Sequence, residues 1–224
     1  MNLRLLAKKS LQSRRSTAIL TIFSIAVSVL LLLGVEKIRV NAQSSFANTI
    51  SGTDLIVGAR SGSIQLLLYS VFRMGNATNN ISWKSYQDIA QQKGIKWTIP
   101  ISLGDSHRGF RVMGTSRDYF SVYQYGEKRT LKFSSGVQFE GVFDAVIGAE
   151  VANSLNYAIG DEVIISHGTG SASFSQHKDK PFVISGILKH TGTPVDRTVH
   201  VSLAGIEAMH VNWQGAVKKR KVSK

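Results

Sequence analysis

The sequence has 224 residues, 43% of them hydrophobic, no cysteine and a formal net charge of +13. That length holds one large domain or two small ones, and the lack of cysteine excludes disulfides, thiolate zinc sites and thiol catalysis. The charge does not describe a nucleic-acid binder, because residues 1–15 and the last eight residues carry +5 each, while 17 bases face 14 acids in the 201 residues between.

The N-terminal cluster consists of Arg4, Lys8, Lys9, Arg14 and Arg15, with no acid among residues 1–15. Leu3, Leu6, Ala7 and Leu11 fall at i, i+3, i+4 and i+8. This predicts either a short amphipathic helix in the lipid interface or a basic lead-in of no fixed structure. Ser16 to Val35 then gives twenty residues without a charge, STAILTIFSIAVSVLLLLGV, twelve of them Leu, Ile, Val or Phe. As a helix this stretch covers about 30 Å, the thickness of a bilayer's hydrocarbon core. Each large aliphatic residue near the centre contributes about −0.3 to −0.6 kcal/mol to insertion, so a membrane span outweighs the small cost of Thr17, Thr21, Ser24 and Ser28. The adjacent cations place the N-terminus in the cytoplasm and everything after Val35 outside it.

A cleaved signal peptide is the competing reading, with Val40-Asn41-Ala42 as a small-residue site. The apolar run is long for that role, and Glu36, Lys37 and Arg39 intervene. Within the span, Thr17, Thr21, Ser24 and Ser28 fall at i, i+4, i+7 and i+11. They form a small, weakly polar stripe suited to packing on another membrane helix, or to bonding back to its own carbonyls.

Glu36 to Ser51 is expected to continue as a helix, followed by a short strand at Asp54–Gly58. Ile64–Phe72 (IQLLLYSVF) is too short to span a bilayer and reads as a core helix or an apolar surface facing a partner or lipid. Ser82 is a helix N-cap, with Ile81 and Tyr86 forming a hydrophobic staple, and the helix ends by Gly94. Strands are expected at Trp97–Leu103, Phe110–Gly114 (half-buried), Ala145–Ile147, Val163–Ser166, Phe182–Leu188 and Thr198–Leu203. Helices are expected at Ala149–Asn156 and from Gly205 to His210. The alternation of strands and short helices is that of a mixed α/β domain.

Familiar catalytic patterns are missing. There is no phosphate-binding G-x-x-x-x-G-K-[ST] and no H-E-x-x-H, and Gly168-Thr-Gly170 lacks dinucleotide-loop spacing. Ser106-His107 and Ser166-His167 are neighbours in sequence, which does not make a triad. His167, His177, His190, His200 and His210 recur at wide spacing and read as solvated or core-edge residues in preference to metal ligands. The terminal KKRKV reads as a solvated basic tail, and the sequons at Asn76 and Asn80 as chance. No catalytic residue, metal site or cofactor is expected.

In order, a basic amphipathic lead-in, one span and a large α/β domain resemble the N-terminal half of MacB/FtsX-type ABC transporter permeases, the group that includes lipoprotein-releasing permeases. LRLLAKKSLQSRRSTAILTIFSIAVSVLLLLGV is similar to their elbow helix and first transmembrane helix. Arg111-Val-Met-Gly114-Thr with Asp118-Tyr119-Phe120 is similar to a run of their periplasmic core domain. So are Val146-Ile-Gly-Ala149, Leu155, Ile159-Gly160-Asp161-Glu-Val163 and Phe182-Val-Ile-Ser-Gly186-Ile187.

The resemblance implies residues 1–15 cytoplasmic, 16–35 transmembrane and 36–224 a periplasmic core domain, in a bacterial inner membrane. The family has four membrane helices, three of them after the domain, and one is expected here, so the chain reads as either a truncated four-helix permease or a shorter relative, with its core domain expected to be incomplete. It also implies a non-enzymatic permease worked by a separate cytoplasmic ABC ATPase. A second permease copy or paralogue and the lipid bilayer would be further partners, nucleic acid would not, and Gly34 and Glu36–Ser45 would act as the lever. The alternative is a single-pass anchored periplasmic binding or adaptor protein with no ATPase.

Overall fold

The first element among the described residues, α1, is an unbroken helix over Arg15–Thr49. At about 1.5 Å per residue its 35 residues extend about 52 Å, well beyond the about 30 Å of a hydrocarbon core. Arg15–Asn41 has the length and composition to cross a membrane, and none of its most apolar window is buried inside the chain. Apolar side chains cover the span on all sides, the pattern of a helix solvated by lipid. Glu36 and Arg39 form an exposed i,i+3 ion pair at 2.9 Å just beyond the expected span. The computed structural model describes residues 14–49, 51–76, 79–168 and 180–209. The predicted 3–11 helix, Arg4, Lys8, Lys9, His177, His210 and the KKRKV tail lie outside them. The chain divides into two compact units, Met1–Phe46 and Ala47–Lys224.

The second unit is built on an eight-stranded mixed sheet. Its strands are β1 (Ser102–His107), β2 (Phe110–Thr115), β5 (Phe133–Gly136), β6 (Asp144–Ile147), β7 (Glu162–Val163), β8 (Ser166–His167), β9 (Phe182–Leu188) and β10 (Thr198–Ser202). A separate hairpin joins β3 (Gln124–Tyr125) to β4 (Arg129–Thr130). The spatial order is β5-β9-β6-β10-β2-β1-β8, with β7 on β9. β10 lies at the centre, parallel to β2 and antiparallel to β6. The helices are α2 (Ser63–Ser70), α3 (Trp83–Ala90), α4 (Tyr119–Val122) and α5 (Ala149–Leu155), with α6 at 203–209.

Alternation along the strands sorts side chains to two faces. Val112, Ala145, Ile147, Val199 and Val201 pack with Val151 and Ala152 of α5 and Met209 of α6. On the other face Met113, Val146 and Leu188 pack with Tyr119, Phe120, Phe139 and Val195. The expected half-buried strand at Phe110–Gly114 runs over Phe110–Thr115. It is buried at five of six positions, because α4 and the turn at Pro194–Arg197 cover the face that would otherwise meet solvent.

Three other expectations are corrected. Residues 54–58 belong to no strand, since no neighbouring strand pairs with them. Trp97–Leu103 contributes only Ser102 and Leu103 to β1, which continues through polar residues to His107. α2 is not a core helix, because none of its residues is buried. The capped helix is as expected: Ser82 Oγ accepts from Ser85 N at 3.1 Å at the start of Trp83–Ala90. The strand at Phe182–Leu188 has the expected bounds.

Candidate functional site

The described residues between 51 and 103 supply most of the layer that encloses a cavity of about 680 Å³. Its wall includes Leu55, Val57, Leu66, Trp83, Tyr86, Trp97 and Ile99, with Tyr119 and Tyr123 contributed from the α4 region. Local bonds fix this layer. The Tyr69 hydroxyl donates to Leu103 O, tying α2 to β1. Thr98 Oγ1 donates to the Tyr86 hydroxyl at 3.2 Å, and Trp83 stacks on Tyr86 with ring centroids 4.7 Å apart. The Tyr123 hydroxyl donates to Thr49 O at 2.8 Å.

Arg73 is the unusual member of this wall. It follows the apolar run of α2, adopts φ 59° and is only 8% exposed. A left-handed backbone is unfavourable for a side chain of this size, so neighbouring bonds must hold it. Arg111 does so, donating from Nε to Arg73 O at 3.1 Å and from Nη2 to Gly75 O. The guanidinium Nε and Nη1 of Arg73 have no hydrogen-bond partner, and no described ion pair reaches it.

The groups around Arg73 are neutral. His200, on the central strand, is fully buried and stacks on Tyr119 at 5.3 Å. Its Nδ1 lies 3.1 Å from Val146 O and must donate to that carbonyl, leaving Nε2 as an acceptor without a partner. Burial first, and then the nearby Arg73 charge, hold its pKa down to about 3. Burial raises the Tyr119 and Tyr123 phenols above their usual range. The Tyr119 hydroxyl makes no hydrogen bond of ordinary geometry, although the Arg73 charge bears on it. The nearby acid, Asp196, is fully engaged elsewhere. Its Oδ1 accepts from Thr191 N and Oγ1, and its Oδ2 accepts from Gly192 N and pairs with His190 Nδ1. Arg73, Tyr119 and His200 are thus a cluster of buried polar groups in which Arg73 Nε, Arg73 Nη1 and His200 Nε2 find no partner.

His200, expected to be solvated or at the core edge, is instead fully buried, because it lies on the central strand against the Tyr119 and Phe120 rings, and the Ser-His pairs lie elsewhere. His107 is saturated: Nδ1 donates to Ile164 O at 2.7 Å and Nε2 accepts from the Tyr157 hydroxyl at 2.9 Å. Ser106 Oγ donates to Gly168 O at 2.5 Å. The pair is therefore part of the packing and not a nucleophile and base. Ser166 and His167 form β8, paired with β1. Among the described residues no three metal-ligating side chains come together.

On α1 the four stripe residues are exposed. Thr21 Oγ1 donates to Thr17 O at 2.9 Å and Ser28 Oγ to Ser24 O at 2.8 Å. Arg14 and Arg15 stand at the helix start, both exposed. Sequence reasoning passed over Arg73 and Tyr119 as site residues. The only local signal for Arg73 was a lone cation closing a nine-residue apolar run.

Among solved structures, the chain is similar to the extracellular domain of the noncanonic ABC-type transporter YknZ from Gram-positive bacteria, at 13% identity and a TM-score of 0.39. That alignment covers 57% of this chain and 65% of the other, so this chain spans a little under two thirds of that structure's length. No curated protein matches it significantly. The family model described as the MacB-like periplasmic core domain matches residues 18–220, nearly the whole chain. The chain therefore belongs to the family of the MacB-like periplasmic core domain.

Proposed function

We propose that this chain is a permease subunit of a bacterial inner-membrane ABC transporter. Residues 1–15 lie in the cytoplasm, 16–35 span the bilayer and 36–224 face the periplasm. A partner ATPase hydrolyses ATP, and the permease helices carry the movement to the periplasmic domain, which drives substrate export. A second copy or a paralogue completes the membrane part, with Thr17, Thr21, Ser24 and Ser28 packed on a neighbouring helix. The observation that carries this reading is the continuity of α1 from Arg15 to Thr49 in a chain of this family. A helix without a break at the membrane surface resists bending, so Gly34 and Glu36–Ser45 serve as a lever and not as a slack tether. The alternative, a single-pass anchored binding protein with no ATPase, draws on the cavity in the second unit.

The test is purification of the full-length assembly from native membranes into lipid nanodiscs. An ABC ATPase should accompany the chain, the assembly should hydrolyse ATP, and this chain alone should bind no nucleotide. Insertion of two glycines after Lys37 should leave the assembly intact and uncouple hydrolysis from transport. Purification without any ATPase, or nucleotide binding by this chain alone, would refute the permease reading and favour the anchored binding protein.

A further inference from the structure

The cavity combines a long apolar wall with one buried positive charge. Its lining carries three charged residues among those described, Asp54, Lys96 and Arg73. Asp54 and Lys96 are exposed to solvent, whereas Arg73 is not. A guanidinium held out of water with no acid against it costs several kcal/mol unless something compensates the charge. Asp196, the acid in the neighbourhood, makes no described ion pair with it and turns its oxygens to Thr191, Gly192 and His190. Beside Arg73 the Tyr119 hydroxyl finds no acceptor, because its polar neighbour is the guanidinium, which can only donate. Trp83, 58% exposed, and Leu55, 72% exposed, are large apolar side chains left open to solvent along the same cavity.

We propose that this cavity binds a long-chain carboxylate, with the carboxylate against Arg73 and Tyr119 and the single acyl chain along the wall between Leu55, Trp83 and Trp97. The volume of about 680 Å³ lies in the range of about 300–1,000 Å³ found for small-molecule pockets, which admits one acyl chain and not a folded partner. The charge selects the headgroup. A carboxylate carries one negative charge and so neutralises the one buried guanidinium, while a phosphate monoester near neutral pH carries −1.5 to −2 and would leave an excess. Two acceptor oxygens also match a fork of N–H donors. The apolar remainder selects the tail, since an acyl chain brings no polar group that the wall must satisfy, whereas a peptide backbone brings two per residue. The binding reading does not depend on an ATPase partner.

The probe is palmitate carrying a mid-chain photoreactive diazirine, added to the full chain in nanodiscs, with labelled peptides mapped by mass spectrometry. Labelling should concentrate in residues 54–103 and be competed by palmitate at least tenfold better than by methyl palmitate, which has the same tail without the charge. Arg73→Met should reduce cavity labelling at least tenfold, and Arg73→Lys should keep part of it. Labelling of α1 by probe dissolved in the bilayer should not change. The comparison of acid with ester on the unmodified chain needs no variant, so misfolding of Arg73→Met would not decide the outcome. Equal competition by the ester, undiminished cavity labelling in a folded Arg73→Met protein, or labelling of α1 alone would overturn the proposal. The last result would mean that the cavity is closed, or filled by another segment or a second copy.

Discussion

Replacing Gly148 with alanine is expected to destabilise the second unit by about 2–3 kcal/mol, although nothing in the glycine's own backbone demands glycine. Gly148 ends β6 and caps α5 with φ −70° and ψ 158°, which any residue adopts. Its neighbours create the demand. A Cβ there would lie 2.3 Å from Val195 O and 2.4 Å from Asp196 O, whereas ordinary contact begins near 3.4 Å. Backbone would therefore have to move by about an ångström, as these are not flexible side-chain ends. The turn that would move is well held: Val195 O accepts from Thr198 N, and Asp196 is anchored by Thr191 and Gly192. Overpacking of this kind costs about 3 kcal/mol, the upper end of its usual range, because backbone and not a side-chain end must shift. The reduced freedom of the unfolded chain returns only about 0.4–1 kcal/mol. For a domain of this size the net loss corresponds to a fall in Tm of about 5–10 °C. Thermal unfolding of the full chain in nanodiscs, followed by tryptophan fluorescence, measures it. Gly104→Ala is the control, since its Cβ meets nothing within 4 Å and its φ is not left-handed. A Gly148→Ala protein as stable as the Gly104→Ala protein would refute the reasoning.

Acid should destabilise the same unit. The folded His200 has a pKa of about 3 against 6.5 when unfolded. The unfolded chain therefore binds the extra proton as pH falls below 6.5, and stability drops progressively until about pH 3. At pH 5 the loss is about 2 kcal/mol from this group, and His107, also lowered by burial, adds in the same direction. A urea midpoint unchanged between pH 7 and pH 5 would contradict this. In α1, Ser24→Leu with Ser28→Leu should reduce recovery of the second permease subunit, because bulk replaces close helix approach. Undiminished recovery would mean that the stripe faces lipid, with its hydroxyls serving only their own carbonyls.

Local patterns carried much of the fold. α1 was readable because twenty uncharged residues have few other solutions, and β9 because its burial alternates strictly. The quoted run Ile159-Gly160-Asp161 is a turn in which Asp161 Oδ2 accepts from Ala158 N and Gly160 takes φ 94°. Gly114 stands where a Cβ would meet Ile206 at 2.8 Å. β1 was hidden because SLGDSH has no apolar alternation: it is held by pairing on both sides, and a bulge at Gly104 breaks its register. The Arg73 cluster was hidden for a different reason. Residues 73, 119 and 200 share no period and meet only through the tertiary fold, and a buried arginine runs against the composition of cores.

The central position of β10 has a consequence for biosynthesis. Until Thr198–Ser202 is available, the sheet exists only as two halves, β5-β9-β6 and β2-β1-β8, each ending in an open edge where β10 will insert. At roughly 5–20 residues per second, β2 waits roughly 4 to 17 seconds for its partner to be made. From its synthesis until then each edge is open, with Val112 and Met113 on one half and, later, Val146 and Ile147 on the other beside unpaired backbone, the arrangement that invites pairing with the wrong chain. Such a domain gains from a holdase that keeps the two edges apart from other chains, and its yield should fall faster than its stability when synthesis outpaces that protection.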